Sequence, residues 1–168
     1  RVRLPAPPPA TARPVARRHR LTVTVNIEEH LPEIVGDQSA LERVFSNLLR
    51  NALKFTPETG KIDIRAFFQK KDHVVIVEMQ DTGPGIAPEE MPLLFERYRR
   101  TMASRYHEGT GLGLFIVKTF VEAHGGRVEV DGNWGHGACF RVILPAPVAP
   151  PLAKTFGLKD SQTEGLSD

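Results

Sequence analysis

The sequence predicts an α/β two-layer sandwich, in which about three helices cover one face of a mixed, mostly antiparallel sheet of about five strands. Three observations support this fold class. Short segments that alternate apolar and polar residues are interspersed with two long segments of helical spacing. Several predicted strands follow one another without an intervening helix. The chain has 168 residues, 40% of them hydrophobic and 25% charged, which suits one globular domain.

The termini differ in composition from the centre of the chain. Five prolines between positions 5 and 14 exclude a helix or a central strand, so residues 1–18 are predicted to form an extended linker. A second proline cluster near position 147 precedes a polar stretch. We therefore expect one folded domain at 19–146 and a polar tail at 147–168.

The first half of the predicted domain begins with a strand and a long helix. Residues 21–27 alternate apolar and polar side chains, as in a half-buried strand. Asp37 is a candidate N-cap for an amphipathic helix, which Pro57 and Gly60 would end. Two strands joined by a short turn follow, at 62–68 and 74–79.

The second half contains a long irregular segment, a helix and two closing strands. The segment at 83–111 is rich in glycine and proline, and connections of this length are usually functional. Residues 112–124 have helical spacing, and Gly125 with Gly126 would form a left-handed C-terminal cap. The last strands are predicted at 128–130 and 139–144.

Composition argues against several classes of protein. No apolar run approaches the roughly 20 residues that span a bilayer, and residues 1–20 lack the apolar stretch of a secretory signal peptide. The single Cys139 cannot form an internal disulfide, and no Cys or His cluster has zinc-ligand spacing. We therefore expect a reducing, cytoplasmic setting, and leave open whether the parent protein is anchored in a membrane.

The net charge of +2 conceals a basic N-terminus. The first 20 residues contain six Arg and no acidic residue, so the remainder of the chain is mildly acidic. A basic tail can bind nucleic acid, but this one has no aromatic residue to stack on a base. A solvated linker is the favoured interpretation, and no nucleic-acid partner is expected.

The first long helix carries a polar face of its own. Asn47, Asn51 and Lys54 are spaced by four and three residues and therefore share one face, distinct from the apolar stripe. Asparagine is a mediocre helix former, so two of them one turn apart call for an explanation. Two alternatives remain open from the helix alone: solvated amides, or oxygen ligands for a hard cation beside an ammonium for phosphate.

Two glycine-rich motifs lie further along the chain. DTGPGI at 81–86 directly follows a strand, and taken alone it is more typical of a tight turn. GTGLGL at 109–114 opens the second helix, where backbone amides can bind an anion. It is neither the dinucleotide fingerprint nor the Walker loop. Gly113 in the first turn costs about 0.5–1 kcal/mol of helix stability relative to Ala, which favours a functional role.

The order of these motifs resembles that of the Bergerat-fold ATPases and, within them, the sensor histidine kinases. The resemblance extends over about 21–145 and includes GHGACFRVILP at the closing strands. Its boxes are QSALERVFSNLLRNALKFTP at 38–57 (asparagine box), DTGPGI and GTGLGL (glycine boxes) and FERYRR at 95–100 (phenylalanine box). Tyr98 stands where Phe is commoner.

The resemblance implies roles for individual residues. Asn51 would ligate a Mg²⁺ that bridges the ATP phosphates, Asn47 would support nucleotide and metal, and Lys54 would reach a phosphate. Asp81 would accept the adenine N6 amine and favour ATP over GTP. Cys139 stands near the implied adenine pocket, where family members often carry Thr or Ser.

Other residues are implied as nucleotide contacts. Phe55 would pack on adenine, and the span 86–108 would be a mobile lid with Arg97 and Arg100 as phosphate contacts. The remaining implied cofactor-binding residues are Gly83 and Gly85 beside the base, Gly109, Gly111 and Gly113 around the phosphates, and Ile86, Tyr98, Thr110 and Leu112.

The residue one turn before Asn51 separates kinases from hydrolases within this resemblance. Bergerat relatives that hydrolyse ATP have a Glu there as general base, and this chain has Asn47, which cannot accept a proton. A neutral histidine already carries a lone pair, so the site suits phosphoryl transfer to histidine. A nucleotide-binding regulatory module without transfer activity is the alternative.

The histidine that would accept the phosphoryl group is not evident in the sequence. His19 lies among arginines and prolines, and His30 precedes Leu31-Pro32, so neither has the helical context of a phosphoacceptor. We therefore expect the acceptor on a dimerisation domain outside this chain and a response regulator receiver domain as the next partner. This chain is expected to be a monomer that does not autophosphorylate, and the parent protein a homodimer.

Overall fold

The computed structural model describes residues 1–4, 20–101, 109–133 and 135–148. Within these ranges the elements are five strands, two α-helices and one short 3₁₀ helix: β1 (Thr22–Ile27), α1 (Gln38–Phe55), β2 (Lys61–Gln69), β3 (Val74–Asp81), the 3₁₀ helix (Met91–Leu93), α2 (Gly113–Ala123), β4 (Arg127–Asn133) and β5 (Gly137–Pro145).

The five strands form one sheet in the order β1-β2-β3-β5-β4. β1 and β2 are parallel, because α1 and its connections lie between them in the chain, and the other three pairs are antiparallel. The predicted α/β sandwich with a mixed, mostly antiparallel sheet is confirmed. Within the described ranges, the helices number two α-helices and the 3₁₀ turn.

The core lies between α1, α2 and one face of the sheet. Helix α1 buries a stripe of apolar side chains at helical spacing, consisting of Leu41, Val44, Phe45, Leu48, Leu49 and Ala52. Three alternate residues of β2, Ile62, Ile64 and Ala66, are buried beneath it. At roughly 25 cal/mol per Å² of apolar surface, this burial is the main stabilising term of the fold. The opposite face of α1 is thereby left for the polar residues.

The predicted helix ends are borne out by hydrogen bonds. The Asp37 carboxylate accepts the Ala40 N–H at 3.0 Å and so caps α1. The Ser39 hydroxyl and then this N–H hold the pKa of the Asp37 carboxyl below its usual value. At the end of α2, Gly125 has φ +72, the left-handed conformation predicted for the cap.

The closing strands extend beyond their predicted bounds. Asp131, Gly132 and the following residue were expected to lie in the connection, but they pair with residues 137–139 in the ladder between β4 and β5. Gly132 fits a strand here because Ile86 packs against it, and a Cβ added at Gly132 would lie 2.8 Å from the Cβ of Ile86.

The first four residues of the chain contact the domain. Val2 and Ile34 exchange two backbone hydrogen bonds, 2.7 and 2.8 Å long, and Leu4 packs against the core. The rest of the predicted linker and almost all of the predicted C-terminal tail lie outside the described residues. None of the helices in the described ranges is both long and apolar enough to cross a bilayer.

A histidine at the end of α2 fixes the start of α1. The Asp37 N–H donates to His124 Nε2 at 3.0 Å, and His124 Nδ1 lies 2.6 Å from the Phe120 carbonyl oxygen. Nδ1–H must therefore be the donor, with Nε2 as the acceptor. Gly36 leaves room for this ring, because a Cβ added there would lie 2.7 Å from His124 Nε2.

Replacing Gly36 by alanine is expected to lower the free energy of unfolding by about 1–3 kcal/mol, since the new methyl group displaces a ring held by two hydrogen bonds. Urea denaturation of the wild type and the variant measures this. The matched control is Gly36→Ala in a His124→Ala background, where the same methyl group should cost much less. An equal loss in both backgrounds would contradict the packing argument.

Candidate functional site

A cavity of about 630 Å³ opens between α1, the N-terminal end of α2 and the segment 89–101. Its volume lies in the range of small-molecule binding sites. Among the described residues, more basic than acidic side chains line it: Arg43, Arg50, Lys54, Arg99 and Arg100, against Glu89 and Glu90. A cavity with this balance favours an anionic ligand.

The polar face of α1 forms one wall. Asn47, Asn51 and Lys54 share one face of α1, as their spacing predicted, and all three line the cavity, while the apolar stripe of the same helix is buried against the sheet. The Lys54 ammonium lies 5.1 Å from the centre of the Phe55 ring. Burial, followed by the positive charge of Arg100, holds the pKa of Lys54 below its usual value. An anion in the cavity would relieve both penalties.

The second glycine motif forms the facing wall, and all five predicted residues, from Gly109 to Gly113, line the cavity. A Cβ added at Gly109 would lie 2.9 Å from Lys54 Nζ, and one added at Gly113 would lie 3.6 Å from Asn47 Oδ1. The absence of a side chain at Gly109 therefore leaves room for the Lys54 ammonium, whereas a Cβ at Gly113 would make an ordinary contact with Asn47. Leu112 at the N-cap has no side-chain acceptor, so the first amides of α2 keep their capacity to bind an anion.

Asp81 lies beside the cavity, outside its lining. The carboxylate is buried at the end of β3, and its Oδ1 accepts the N–H groups of Gly83 (2.8 Å) and Ala138 (3.3 Å). Burial raises the pKa of Asp81, and these two hydrogen bonds oppose the rise. A Cβ added at Gly83 would lie 3.0 Å from the Phe55 carbonyl oxygen. Gly83 thus joins Asp81 to the part of the cavity that Phe55 lines.

Cys139 is not among the residues that line the cavity. Its strand neighbours Ala138 and Phe140 belong to the core on the helix-covered face, so strand alternation places Cys139 on the other face. There it is paired with Gln80 and Asp131 in the ladder. Ala138 is the residue that meets Asp81, through its backbone N–H. The implied role of Cys139 at an adenine pocket therefore receives no geometric support.

The predicted lid residues are separated by the structure. Arg100 lines the cavity, whereas Arg97 stacks on Phe115 with Cζ 4.5 Å from the ring centre. Tyr98 is 71% exposed and has φ +58. Ile86 is buried against Gly132 rather than in the cavity wall.

Gly85, with φ +75, has a left-handed backbone conformation, which glycine adopts without steric cost. Part of the predicted lid, at 102–108, lies outside the described residues.

Several residues that line the cavity were not among the predicted site residues. Arg43 and Arg50 share the helix face of Asn47 and Lys54, so the same i, i+4, i+7 spacing would have found them. Glu89 and Glu90 come from an irregular segment without periodicity, and no sequence signal placed them, whereas Arg99 belongs to the FERYRR motif but was not singled out within it.

Comparison with known proteins identifies the family. Residues 36–148 match the model of the family described as "Histidine kinase-, DNA gyrase B-, and HSP90-like ATPase". Over 152 residues the chain is 36% identical to the signal transduction histidine-protein kinase/phosphatase MprB of Mycolicibacterium paratuberculosis, covering 88% of this chain and 29% of MprB. Over 124 residues it is 36% identical to the circadian input-output histidine kinase CikA of Synechocystis, covering 73% of this chain and 16% of CikA.

Comparison with solved structures supports this family assignment. A structure of the mycobacterial sensor histidine kinase MprB superposes with a TM-score of 0.71 at 33% identity, covering 83% of this chain and 93% of that one. Full-length ShkA in complex with AMPPNP superposes with a TM-score of 0.70 at 33% identity, covering 85% of this chain and 30% of ShkA. The chain thus spans less than a third of the sequence relatives reported above. It belongs to the histidine kinase-, DNA gyrase B- and HSP90-like ATPase family, and the sensor histidine kinase MprB is similar to it in both sequence and structure.

Proposed function

We propose that this domain binds Mg-ATP in the cavity between α1 and α2 and donates the γ-phosphoryl group to a histidine on a dimerisation domain outside this chain. A response regulator receiver domain would then take the phosphoryl group from that histidine. The observation that carries the proposal is the shared cavity, which brings Asn51, Lys54 and the glycine-opened N-terminus of α2 together. The structurally similar ShkA was solved with AMPPNP, an analogue of ATP, which supports the choice of nucleotide.

The geometry suggests how each part would act on the nucleotide. The amides at the start of α2 would accept phosphate oxygens, and Lys54 would neutralise their charge from the facing wall. Arg100 would add charge-assisted hydrogen bonds from the third side. Phe55 and Asp81 would receive the adenine, with Gly83 and Gly85 leaving space for the base. Catalysis would then consist mainly of positioning and charge neutralisation.

The donor set fits Mg²⁺. Side-chain amide oxygens are hard ligands of the type this ion accepts, and Asn51 with Asn47 present two of them on the cavity-facing side of α1. Asn51 would be the ligand from this chain, and Asn47 would hold nucleotide and metal in place. When bound, the ion supplies Lewis-acid neutralisation of the phosphate charge.

Transfer to histidine is favoured over hydrolysis because α1 provides no general base at the cavity. The residue one turn before Asn51 is Asn47, and an amide cannot take a proton from water. The carboxylates that line the cavity, Glu89 and Glu90, belong to the segment before the 3₁₀ helix instead of α1. A histidine acceptor needs little activation.

Mixing this chain with Mg-ATP labelled at the γ-phosphate and a separately expressed dimerisation domain is expected to place acid-labile label on the histidine of that domain. The chain without the partner should stay unlabelled, and Asn51→Ala should abolish the transfer. Nucleotide binding without phosphohistidine in any pairing with dimerisation domains would contradict the transfer step and leave a regulatory nucleotide-binding module as the conclusion.

A further inference from the structure

The segment 95–101, called here the arginine segment, contains three arginines whose side chains lie in different places. Arg99 and Arg100 line the cavity. Arg97 instead places its guanidinium over the Phe115 ring, with Cζ 4.5 Å from the ring centre. That distance is well within the range of about 6 Å over which a cation is attracted to an aromatic face. Phe115 lies in the first turn of α2, so Arg97 ties the arginine segment to this helix.

The backbone explains why neighbouring arginines diverge. Tyr98 has φ +58, a left-handed conformation uncommon for a residue other than glycine. A Cβ added at Gly111 would lie 2.9 and 3.0 Å from the Tyr98 carbonyl carbon and Cα, and 2.8 Å from the Arg99 oxygen. The chain therefore reverses over Gly111, which directs Arg97 to α2 and the next two arginines to the cavity.

The two cavity arginines are not equivalent. Arg99 Nε lies 2.9 Å from Glu96 Oε2 on the exposed surface, so part of its charge is already balanced. Arg100 is near enough to Lys54 for its charge to lower the pKa of that ammonium. Arg100 lines the same cavity as Lys54, so it can meet a bound phosphate, and its position depends on how the segment is anchored.

We propose that Arg97 is a positioning residue, which acts by stacking on Phe115 to hold the arginine segment so that Arg100 reaches the bound nucleotide. The inference rests on the proposed nucleotide site and names a function for a side chain outside its lining. Phe95, which packs against the core, anchors the start of the segment, and the pair Arg97–Phe115 anchors it just before the turn at Tyr98. Arg97 is not among the residues that line the cavity, so its guanidinium is not placed to bind a phosphate there directly.

The stacking itself can be tested without nucleotide. In ¹H–¹⁵N spectra of the free domain, the Arg97 Nε–Hε resonance, identified by its loss in Arg97→Gln, is expected to be shifted upfield by the ring. Phe115→Leu should return it to the ordinary arginine position, and Phe115→Tyr should keep the shift. An unshifted resonance in the wild type would overturn the pairing, whether or not the domain binds ATP.

The positioning role is tested by calorimetric titration with Mg-AMPPNP. Arg97→Gln and Phe115→Leu are each expected to weaken binding by about two- to fivefold, the size of an exposed cation–π contact. The double variant should bind no worse than either single variant, and Phe115→Tyr should bind like the wild type. Circular dichroism checks that the variants are folded.

Two other outcomes are informative. If Arg97→Gln weakens binding and Phe115→Leu does not, Arg97 contacts phosphate directly and the positioning role is wrong. If the wild type does not bind Mg-AMPPNP, the proposed function fails, and the positioning role fails with it. The spectroscopic result still decides whether the pair exists.

Discussion

Asn51→Ala is expected to abolish Mg²⁺-dependent binding of ATP, with a loss of affinity greater than about 100-fold, since even residues that only support a metal ligand are worth 10- to 100-fold. Asn51 lies on the cavity-facing side of α1, one turn from Asn47 and next to Lys54 in the same wall. Alanine offers no oxygen to the metal, so the ligand that this chain would supply is lost.

The substitution isolates binding from folding. Alanine has a higher helix propensity than asparagine, so the variant helix should be at least as stable as the wild type. Titration calorimetry with ATP, in Mg²⁺ and in excess chelator, measures the effect. Asn51→Asp is the matched control, because it keeps an oxygen ligand and should retain metal-dependent binding. Equal ATP affinity in Asn51→Ala and wild type, with Mg²⁺ present, would refute the metal assignment.

Asp81→Asn is expected to reduce the preference for ATP over GTP on the order of 10- to 100-fold, the worth of a hydrogen bond to a charged group. The hydrogen bonds of Asp81 explain why this substitution should affect recognition of the base without disturbing the fold. Oδ1 of Asp81 accepts both the Gly83 and Ala138 N–H groups, and the amide oxygen of asparagine can take over that role. The second carboxylate oxygen, available for the adenine amine, becomes an NH₂ donor and repels it.

A matched variant separates selectivity from stability. Asp81→Ala leaves the Gly83 and Ala138 N–H groups without their acceptor in a buried position, which should cost about 1–3 kcal/mol of stability. Asp81→Asn should unfold near the wild-type urea midpoint. Competition titrations with ATP and GTP measure the preference. An unchanged ratio of ATP to GTP affinity in Asp81→Asn would show that this carboxylate does not recognise the base.

Much of the fold could be predicted because the spacing of apolar residues along the chain differs between helices and strands. The stripe from Leu41 to Ala52 and the alternation in β2 have periods that differ clearly, and Asp37 and Gly125 mark helix ends by their own chemistry. The same helical spacing predicted that the polar residues of α1 share one face. Those parts of the site that lie on regular elements were therefore accessible from sequence.

The remainder depends on information that no local pattern carries. Cys139 lies on the face of the sheet opposite the core, and that placement depends on strand register, because a shift of one residue moves a side chain to the other face. Arg97 and Arg100 look equivalent in sequence, and they diverge because Tyr98 adopts a left-handed backbone over Gly111. Contacts of this kind between an irregular segment and a distant helix are set by tertiary packing.

A crystal structure of this domain with Mg²⁺ and a non-hydrolysable ATP analogue tests the central claim most directly. The account predicts the metal about 2.1 Å from the side-chain oxygen of Asn51 and phosphates on the amides of residues 109–113. It also predicts the adenine amine within about 3 Å of Asp81. A nucleotide bound outside the cavity between α1 and α2, or a metal with no ligand from Asn51, would contradict it.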